Sequence, residues 1–357
     1  MKQVILYCRA GFEADLALEI QTRAAEIGVF GYAVPVEGSA WVKFECYTDG
    51  DAERLIKSLA FEKLVFARQW FAVAAELENM PAKDRISPIL AACQDLPQCD
   101  ALVVEYADND QDREMATFCR KFTVPLRQAM RGKGLLTAKE GHKLPTLHVF
   151  LQDSANGFVG ISYPDNASGD YMGISRLKFP SAAPSRSTLK LEEAINLFLS
   201  EKQREQWFKP GMHGVDLGAC PGGWTYQLVS RGVKVQAIDN GMIDENLMAT
   251  GLVKHIQADG FKYKPQPCPV DWLVCDMIER PDRVAQLMAQ WLADGWAKRA
   301  IFNLKLPMKK RFASYQQCLE IIDLVLARVG SYTLKARHLY HDREEITLFL
   351  ALDGKAT

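Results

Sequence analysis

Residues 216–224 read DLGACPGGW, and this stretch decides the fold. It follows a short apolar run, HGVDL, and opens a helical segment at Gly223, so Gly218, Gly222 and Gly223 let backbone come close to a ligand at a helix start. The spacing is not GxGxxG, and Asp216 beside the loop is a poor neighbour for a pyrophosphate. An acid there suits a cationic ligand. Outward from this turn, strand-like and helix-like text alternates: HGVDLG, VKVQAID, VKHIQAD, VDWLVCD and RAIFNLKL. Helical stretches run from Gly223, through Val284 to Leu292, and around Gln317 to Val329. That order predicts an α/β unit with a parallel, doubly wound sheet. The last two runs, YTLKARHLYH and EITLFLAL, are joined by a turn around Asp342-Arg343, too short for anything but an antiparallel hairpin.

Acidic residues recur where these strands end. Asp239 comes about 20 residues after the glycine loop, where an acid can accept hydrogen bonds from a ribose diol. Asp259 closes the third strand and could meet an adenine amino group. With the PGG loop, Asp216, Asp239 and Asp259 point to S-adenosylmethionine, which carries a sulfonium, an ammonium and a ribose. The competing reading of each acid is a cap for the following helix. Three further charged residues gather at the same edge: Asp276 after WLVC, Lys305 at the end of IFNLKLP, and Glu345 at the start of the antiparallel last strand. Glu345 is preferred to the adjacent Glu344 because the apolar strand follows it directly. Lys190, opening the helix before the sheet, reaches this edge from the side. An unpaired ammonium on the apolar Lys305 strand would be costly, so it needs partners or must snorkel out to water.

The amino-terminal half carries no catalytic motif. QVILYC (3–8) reads as a buried strand, and Phe12, Leu16, Ile20, Ala24 and Ile27 mark one face of a helix. GVFGYAVPV and SAWVKFECY look like paired strands and DAERLIKSLAF like a second helix. REMATFCRKF and VPLRQAMRGKG are expected as two helices, the second capped by Thr123 with Pro125 in its first turn. TLHVFLQ and GFVGISY form a hairpin around Asn156-Gly157. The Pro-, Ser-, Ala- and Gly-rich text from Tyr163 to Thr188 reads as linker.

The chain of 357 residues is long enough for two or three cores, and 48% hydrophobic with 24% charged residues excludes wholesale disorder. No apolar run approaches the roughly 18 to 20 residues that span a bilayer, and nine scattered cysteines without a CxxC pair fit reduced thiols in the cytoplasm. Net charge is only -1, but residues 113–143 carry eight bases against two acids, and Lys298 to Arg311 holds six bases and no acid. Such local excess fits a phosphate-lined partner, with Lys121, Arg127, Arg131, Lys133, Lys309, Lys310 and Arg311 as RNA contacts. A zinc site at His338 and His341 is disfavoured, no cysteine cluster joining them, and no metal is expected. Neither Cys220 nor Cys275 is well placed as the nucleophile of a cytosine C5 reaction, and DMIERP is not the NPPY-like text of amino-group methylation.

DLGACPGGW with the order Lys190, Asp276, Lys305, Glu345 resembles the FtsJ-type RNA ribose 2′-O-methyltransferases. The wider text, SRSTLKLEEA, ACPGGWTYQL, CDMIERP and NLKLPMKKR, resembles the ribosomal RNA large subunit methyltransferase M family, while LYCRAGFEADLALEI and LHVFLQDSANGFVGISY resemble that family's amino-terminal ferredoxin-like and THUMP RNA-binding region. The resemblance implies a Rossmann-like methyltransferase domain at 187–357, a ferredoxin-like unit at 1–60, a THUMP-like unit at 61–165 and a linker at 166–186. It also implies 2′-O-methylation of one cytidine of bacterial 23S ribosomal RNA, the partner being that RNA or a precursor of the large subunit; a monomer is expected, though the sequence does not give the oligomeric state. Ser187, Cys220, Pro221, Gly222, Gly223, Asp239, Asp259 and Asp276 carry over as cofactor contacts, beside the Gly218 read from the loop, with Lys305 as proton acceptor. The text after Asp276 and after Lys305 departs from the shorter FtsJ enzymes, so substrate choice does not carry over from them. Orienting the weakly nucleophilic hydroxyl roughly 3 Å from the methyl carbon supplies most of the advantage in such a transfer. An RNA-binding protein with a methyltransferase fold, acting on another RNA or without catalysis, is the alternative reading.

Overall fold

The computed structural model describes residues 1–109 and 113–353, all but the side chain of Arg113, and the chain divides into two compact units, 1–175 and 176–357. The first unit contains β1 (Gln3–Tyr7), α1 (Glu13–Glu26), β2 (Gly31–Pro35), β3 (Trp41–Cys46), α2 (Asp51–Ser58), β4 (Gln69–Leu77), α3 (Ile86–Ala92), β5 (Ala101–Tyr106), α4 (Arg113–Gly132), β6 (Thr146–Leu151) and β7 (Gly157–Ser162). Its strands form one sheet in the order β2-β3-β1-β4-β7-β6-β5, with β5 and β6 pairing parallel. The sheet is continuous across residue 60, because β4 pairs antiparallel with β1 on one side and β7 on the other.

The two helices expected between residues 114 and 134 are a single one. Pro125 lies inside α4, and Thr123 is no cap: its hydroxyl donates to the Cys119 carbonyl one turn back. Packing decides this, since Cys119, Leu126 and Met130 are all fully buried on one face against Leu102, Val149 and Val159. The β6–β7 hairpin forms, but its loop is Gln152–Asn156, where Asp153 accepts from the Ala155 and Asn156 amides. Part of the expected linker packs into this unit. Asn166 binds the Phe61 amide and the Ile56 and Leu59 carbonyls, the Tyr171 hydroxyl donates to the Val104 carbonyl, and Met172 and Ile174 are buried. Under the sheet a buried polar chain links four strands and has no signal in the sequence. Glu105 accepts from the Tyr7 hydroxyl at 2.8 Å and faces His148 Nδ1 at 2.9 Å, and His148 Nε2 lies 2.8 Å from the Ser162 hydroxyl.

The second unit contains α5 (Thr188–Phe198), α6 (Glu201–Trp207), β8 (His213–Leu217), α7 (Gly223–Val229), β9 (Lys234–Ile238), α8 (Glu245–Ala249), β10 (Val253–Ile256), β11 (Trp272–Cys275), α9 (Pro281–Ala293), β12 (Arg299–Lys305), α10 (Arg311–Leu326), β13 (Tyr332–Arg337) and β14 (Glu345–Leu352). The strand order is β10-β9-β8-β11-β12-β14-β13, parallel from β10 to β12 and antiparallel where β14 pairs with β12 and with β13. This is the doubly wound sheet with a terminal hairpin. Leu191, Ile195, Trp224 and Leu228 from α5 and α7 pack with Val235, Trp272 and Val274 of the sheet. Strands β8, β11 and β12 are buried almost throughout because helices cover both faces. Their carboxyl ends therefore form the edge at which polar side chains can collect.

Candidate active site

Three adjacent strands set the site. Asp276 follows the last residue of β11, Lys305 ends β12, and Glu345 opens the antiparallel β14 directly opposite Lys305 in the register. Lys190, the third residue of α5, enters from the side. The four side chains meet: Lys305 Nζ lies 2.5 Å from Asp276 Oδ1 and 3.8 Å from Glu345 Oε1. Lys190 Nζ lies 3.4 Å from Asp276 Oδ2 and pairs closely with Glu345. Two ammonium groups thus share two carboxylates. Lys305 does not snorkel; its side chain is 22% exposed, enough to be reached from solvent at the sheet edge. Burial works against the charge on Lys190, but Asp276 and Glu345 outweigh it and hold its ammonium above the ordinary lysine range. Burial opposes the Glu345 charge too, yet Lys190 and Lys305 hold this carboxyl below the usual range.

The glycine loop adjoins this cluster. Gly218 and Gly222 have φ of +77° and +118°, conformations that a side chain resists, and a Cβ on Gly218 would run into Met277, the neighbour of Asp276. A Cβ on Gly223 would collide with the Ser187 hydroxyl, so Ser187 and Gly223 sit side by side at the starts of α5 and α7. Asp239 anchors the loop, taking the Cys220 amide at 2.9 Å and the Gly241 amide at 2.7 Å. Asp216 is buried in β8: Oδ2 accepts from the Thr225 hydroxyl at 2.7 Å, while Oδ1 has no partner among the described residues. Burial pushes its carboxyl up to about 7. An orphaned acceptor below a glycine cradle fits the ammonium or sulfonium end of S-adenosylmethionine. Asp259 differs from expectation. The strand ends at Ile256, and the half-exposed Asp259 accepts from the Phe261 amide in a turn that opens no helix, so the helix-cap reading does not apply to it.

The basic residues divide. Lys121, Lys133, Lys309 and Lys310 are exposed, Arg127 pairs with Glu140 at 2.8 Å, and Arg131 donates to the Thr137 carbonyl. Arg311 is a correction: it is buried and pairs with Glu344 at 2.6 Å, because it opens α10 beneath the turn into β14 and cannot offer its charge to an RNA there. The same pair occupies Glu344 and separates it from the Lys305 cluster. His341 faces Glu193 and His338 the Arg343 carbonyl, and no metal-holding cluster occurs among the described residues. Burial pushes the Cys275 thiol up to about 12, far from the thiolate a nucleophile needs. Sequence reasoning missed Asn303 and Thr347, both fully buried, which connect to Asp276 from below.

Comparison with known proteins covers nearly all of the chain. Residues 1–71 match the family model described as "RlmM ferredoxin-like domain", 84–163 that described as "Ribosomal RNA large subunit methyltransferase M, N-terminal", and 183–348 that described as "FtsJ-like methyltransferase". A Pseudoalteromonas atlantica protein named ribosomal RNA large subunit methyltransferase M is 53% identical over 99% of this chain and 100% of its own length. Proteins of that name from Vibrio parahaemolyticus (53% identical, covering 97% of this chain and 98% of theirs) and Yersinia enterocolitica (51%, 97% and 95%) are similar throughout. Among the described residues no helix is long and apolar enough to cross a membrane.

Proposed function

We infer, from the premise that this chain belongs to the ribosomal RNA large subunit methyltransferase M family and is an S-adenosylmethionine-dependent ribosomal RNA methyltransferase, that its product is a 2′-O-methylated cytidine of 23S ribosomal RNA and that Lys305 accepts the hydroxyl proton. The observation that carries this reading is the contact of Lys305 with Asp276 at the end of β12, next to the glycine loop. Bound S-adenosylmethionine supplies a methyl group on a positive sulfur. Asp216, Ser187, Gly218, the Cys220 to Gly223 turn and Asp239 would hold it, and Asp276, beside Met277 and the loop, would border the methyl.

The rest falls to the four charged side chains. Lys305 takes the proton from the 2′-oxygen as that oxygen gains the methyl, and releases it to solvent through its exposed face; S-adenosylhomocysteine and the methyl ether remain. Asp276 and Glu345 fix the direction of the Lys305 amine. Lys190, held charged between the same two carboxylates, donates toward the incoming ribose. The domain assignment 1–60, 61–165 and 187–357 belongs to the same proposal, with the amino-terminal unit presenting the RNA. The test is methyl transfer from labelled S-adenosylmethionine to 23S ribosomal RNA from cells lacking the protein, followed by digestion to nucleosides. Label in 2′-O-methylcytidine is expected; label in a base-methylated nucleoside contradicts the reading.

A further inference from the structure

One rung below Lys305 and Glu345 on the β12–β14 ladder, Asn303 stands directly opposite Thr347. The pleat puts alternate residues on one face, so both point toward the same side as the charged pair above them. Neither is exposed, and neither is apolar. Asn303 Nδ2 donates to Asp276 Oδ1 at 2.8 Å, the same oxygen that Lys305 contacts, and Asn303 Oδ1 receives the Thr347 hydroxyl at 2.7 Å. The Thr347 oxygen also lies 2.9 Å from Oδ2 and 3.1 Å from Oδ1 of Asp342, which is fully buried in the turn before β14 and accepts the Leu339 amide on Oδ2 at 3.0 Å.

The hydrogens can be counted. Asp276 is an acceptor, so the Asn303 amide nitrogen must face it and the Asn303 carbonyl must face Thr347. A threonine hydroxyl has one hydrogen, and the carbonyl takes it. The contact with Asp342 then needs a hydrogen from Asp342. We propose that Asn303 and Thr347, closed by a protonated Asp342, are positioning residues that hold Asp276 with Oδ1 on Lys305 and Oδ2 on Lys190. This rests on the reading of Lys305 as proton acceptor. Independently of the hydrogen count, burial and the nearby Glu345 push the Asp342 carboxyl well above the ordinary range, with the Leu339 amide and Lys190 acting the other way. The line of bonds is directional from Asp342 to Asp276. It also divides the acceptor capacity of Oδ1 between an amide and an amine, which weakens the hold of Asp276 on the ammonium form of Lys305. The groups that face Lys305 are Asp276 and Glu345, both shared with Lys190, and Asp216 in turn feels the charge of Asp276.

Thr347→Val keeps the shape and removes the hydroxyl. Single-turnover methyl transfer is expected to fall about ten- to hundredfold at neutral pH, the loss typical of a displaced reacting geometry. S-adenosylmethionine binding and the RNA KM should stay within about twofold. The rising limb of the pH–rate profile should move to higher pH, and Thr347→Ser should restore both rate and limb. Asn303→Ala, which removes the link from the other side, should reproduce the loss and the shift, and serves if the valine variant does not fold. Asp342→Asn, with its amide oxygen in the Oδ2 place accepting from Leu339 and its nitrogen in the Oδ1 place donating to Thr347, should keep rate and limb. Rates within twofold and an unmoved limb in both Thr347→Val and Asn303→Ala, or a Thr347→Ser variant as damaged as the valine one, overturn the positioning role. A tenfold loss in Asp342→Asn overturns the protonated Asp342. Lys305→Ala run alongside separates the two readings: an inactive Lys305→Ala with a normal Thr347→Val sinks the positioning line alone, and an active Lys305→Ala sinks the base.

Discussion

Asp216 shows what a single buried acid does to this protein. Its carboxyl is pushed up to about 7 by burial, so between pH 4 and 7 the unfolded chain gives up a proton that the folded chain keeps. The stabilising contribution of the protonated form is complete at pH 4 and lost by pH 8. Asp216→Asn should therefore raise the unfolding free energy of the ligand-free protein on the order of 3 kcal/mol at pH 8 and change it little at pH 4, as read by denaturant titration at both pH values. The same variant should bind S-adenosylmethionine at least tenfold more weakly if Oδ1 meets the cofactor's positive end. The residue scale was partly legible. Asp276, Lys305 and Glu345 could be placed from strand ends, because a polar residue closing an apolar run has few places to go, and Lys190 from the start of the helix before the sheet. Arg311 could not, since its partner Glu344 lies 33 positions away and a basic run looks alike whether solvated or paired. Asn303 and Thr347 were hidden for a related reason: each interrupts a buried strand by one polar residue, and only the register shows that the interruptions match.

Among the elements, α4 carries the clearest test of packing over local preference. Pro125 within a 20-residue helix leaves the Lys121 carbonyl without its amide donor, yet the buried stripe of Cys119, Leu126 and Met130 keeps the helix in one piece. Pro125→Ala should stabilise the protein by about 1 to 3 kcal/mol in denaturant melts and leave methyl transfer unchanged. A destabilised variant would mean that the proline ring packs in a way alanine cannot replace. The sequence split this helix because its Thr-Val-Pro text is an ordinary helix start, and nothing local reports the stripe that runs through it. In the second unit the alternation of strands and helices was legible, as short strands rich in Val, Ile and Leu are set between helical stretches. The capping box at Ser200 and Gln203, which opens α6, was a signal present in the text and passed over.

For the molecule as a whole, charge balance hides function. A net charge of -1 coexists with exposed Lys309 and Lys310 immediately beyond the Lys305 strand. Replacing both by Gln should weaken ribosomal RNA binding and lower the slope of log affinity against log salt by about 1 to 2. An unchanged slope would remove them from the RNA contact. Arg311→Ala, in contrast, should reduce stability by about 1 to 3 kcal/mol, because it strips a partner from Glu344 and removes a buried side chain. The central claim is that a lysine at the rim of the second sheet, gripped by Asp276, takes the ribose proton. The most direct measurement is Lys305→Ala assayed for S-adenosylmethionine affinity by calorimetry and for methyl transfer to ribosomal RNA in a single turnover. Donor affinity within a fewfold of the unaltered protein and a transfer rate lower by at least three orders of magnitude are predicted; near-normal transfer would contradict the account.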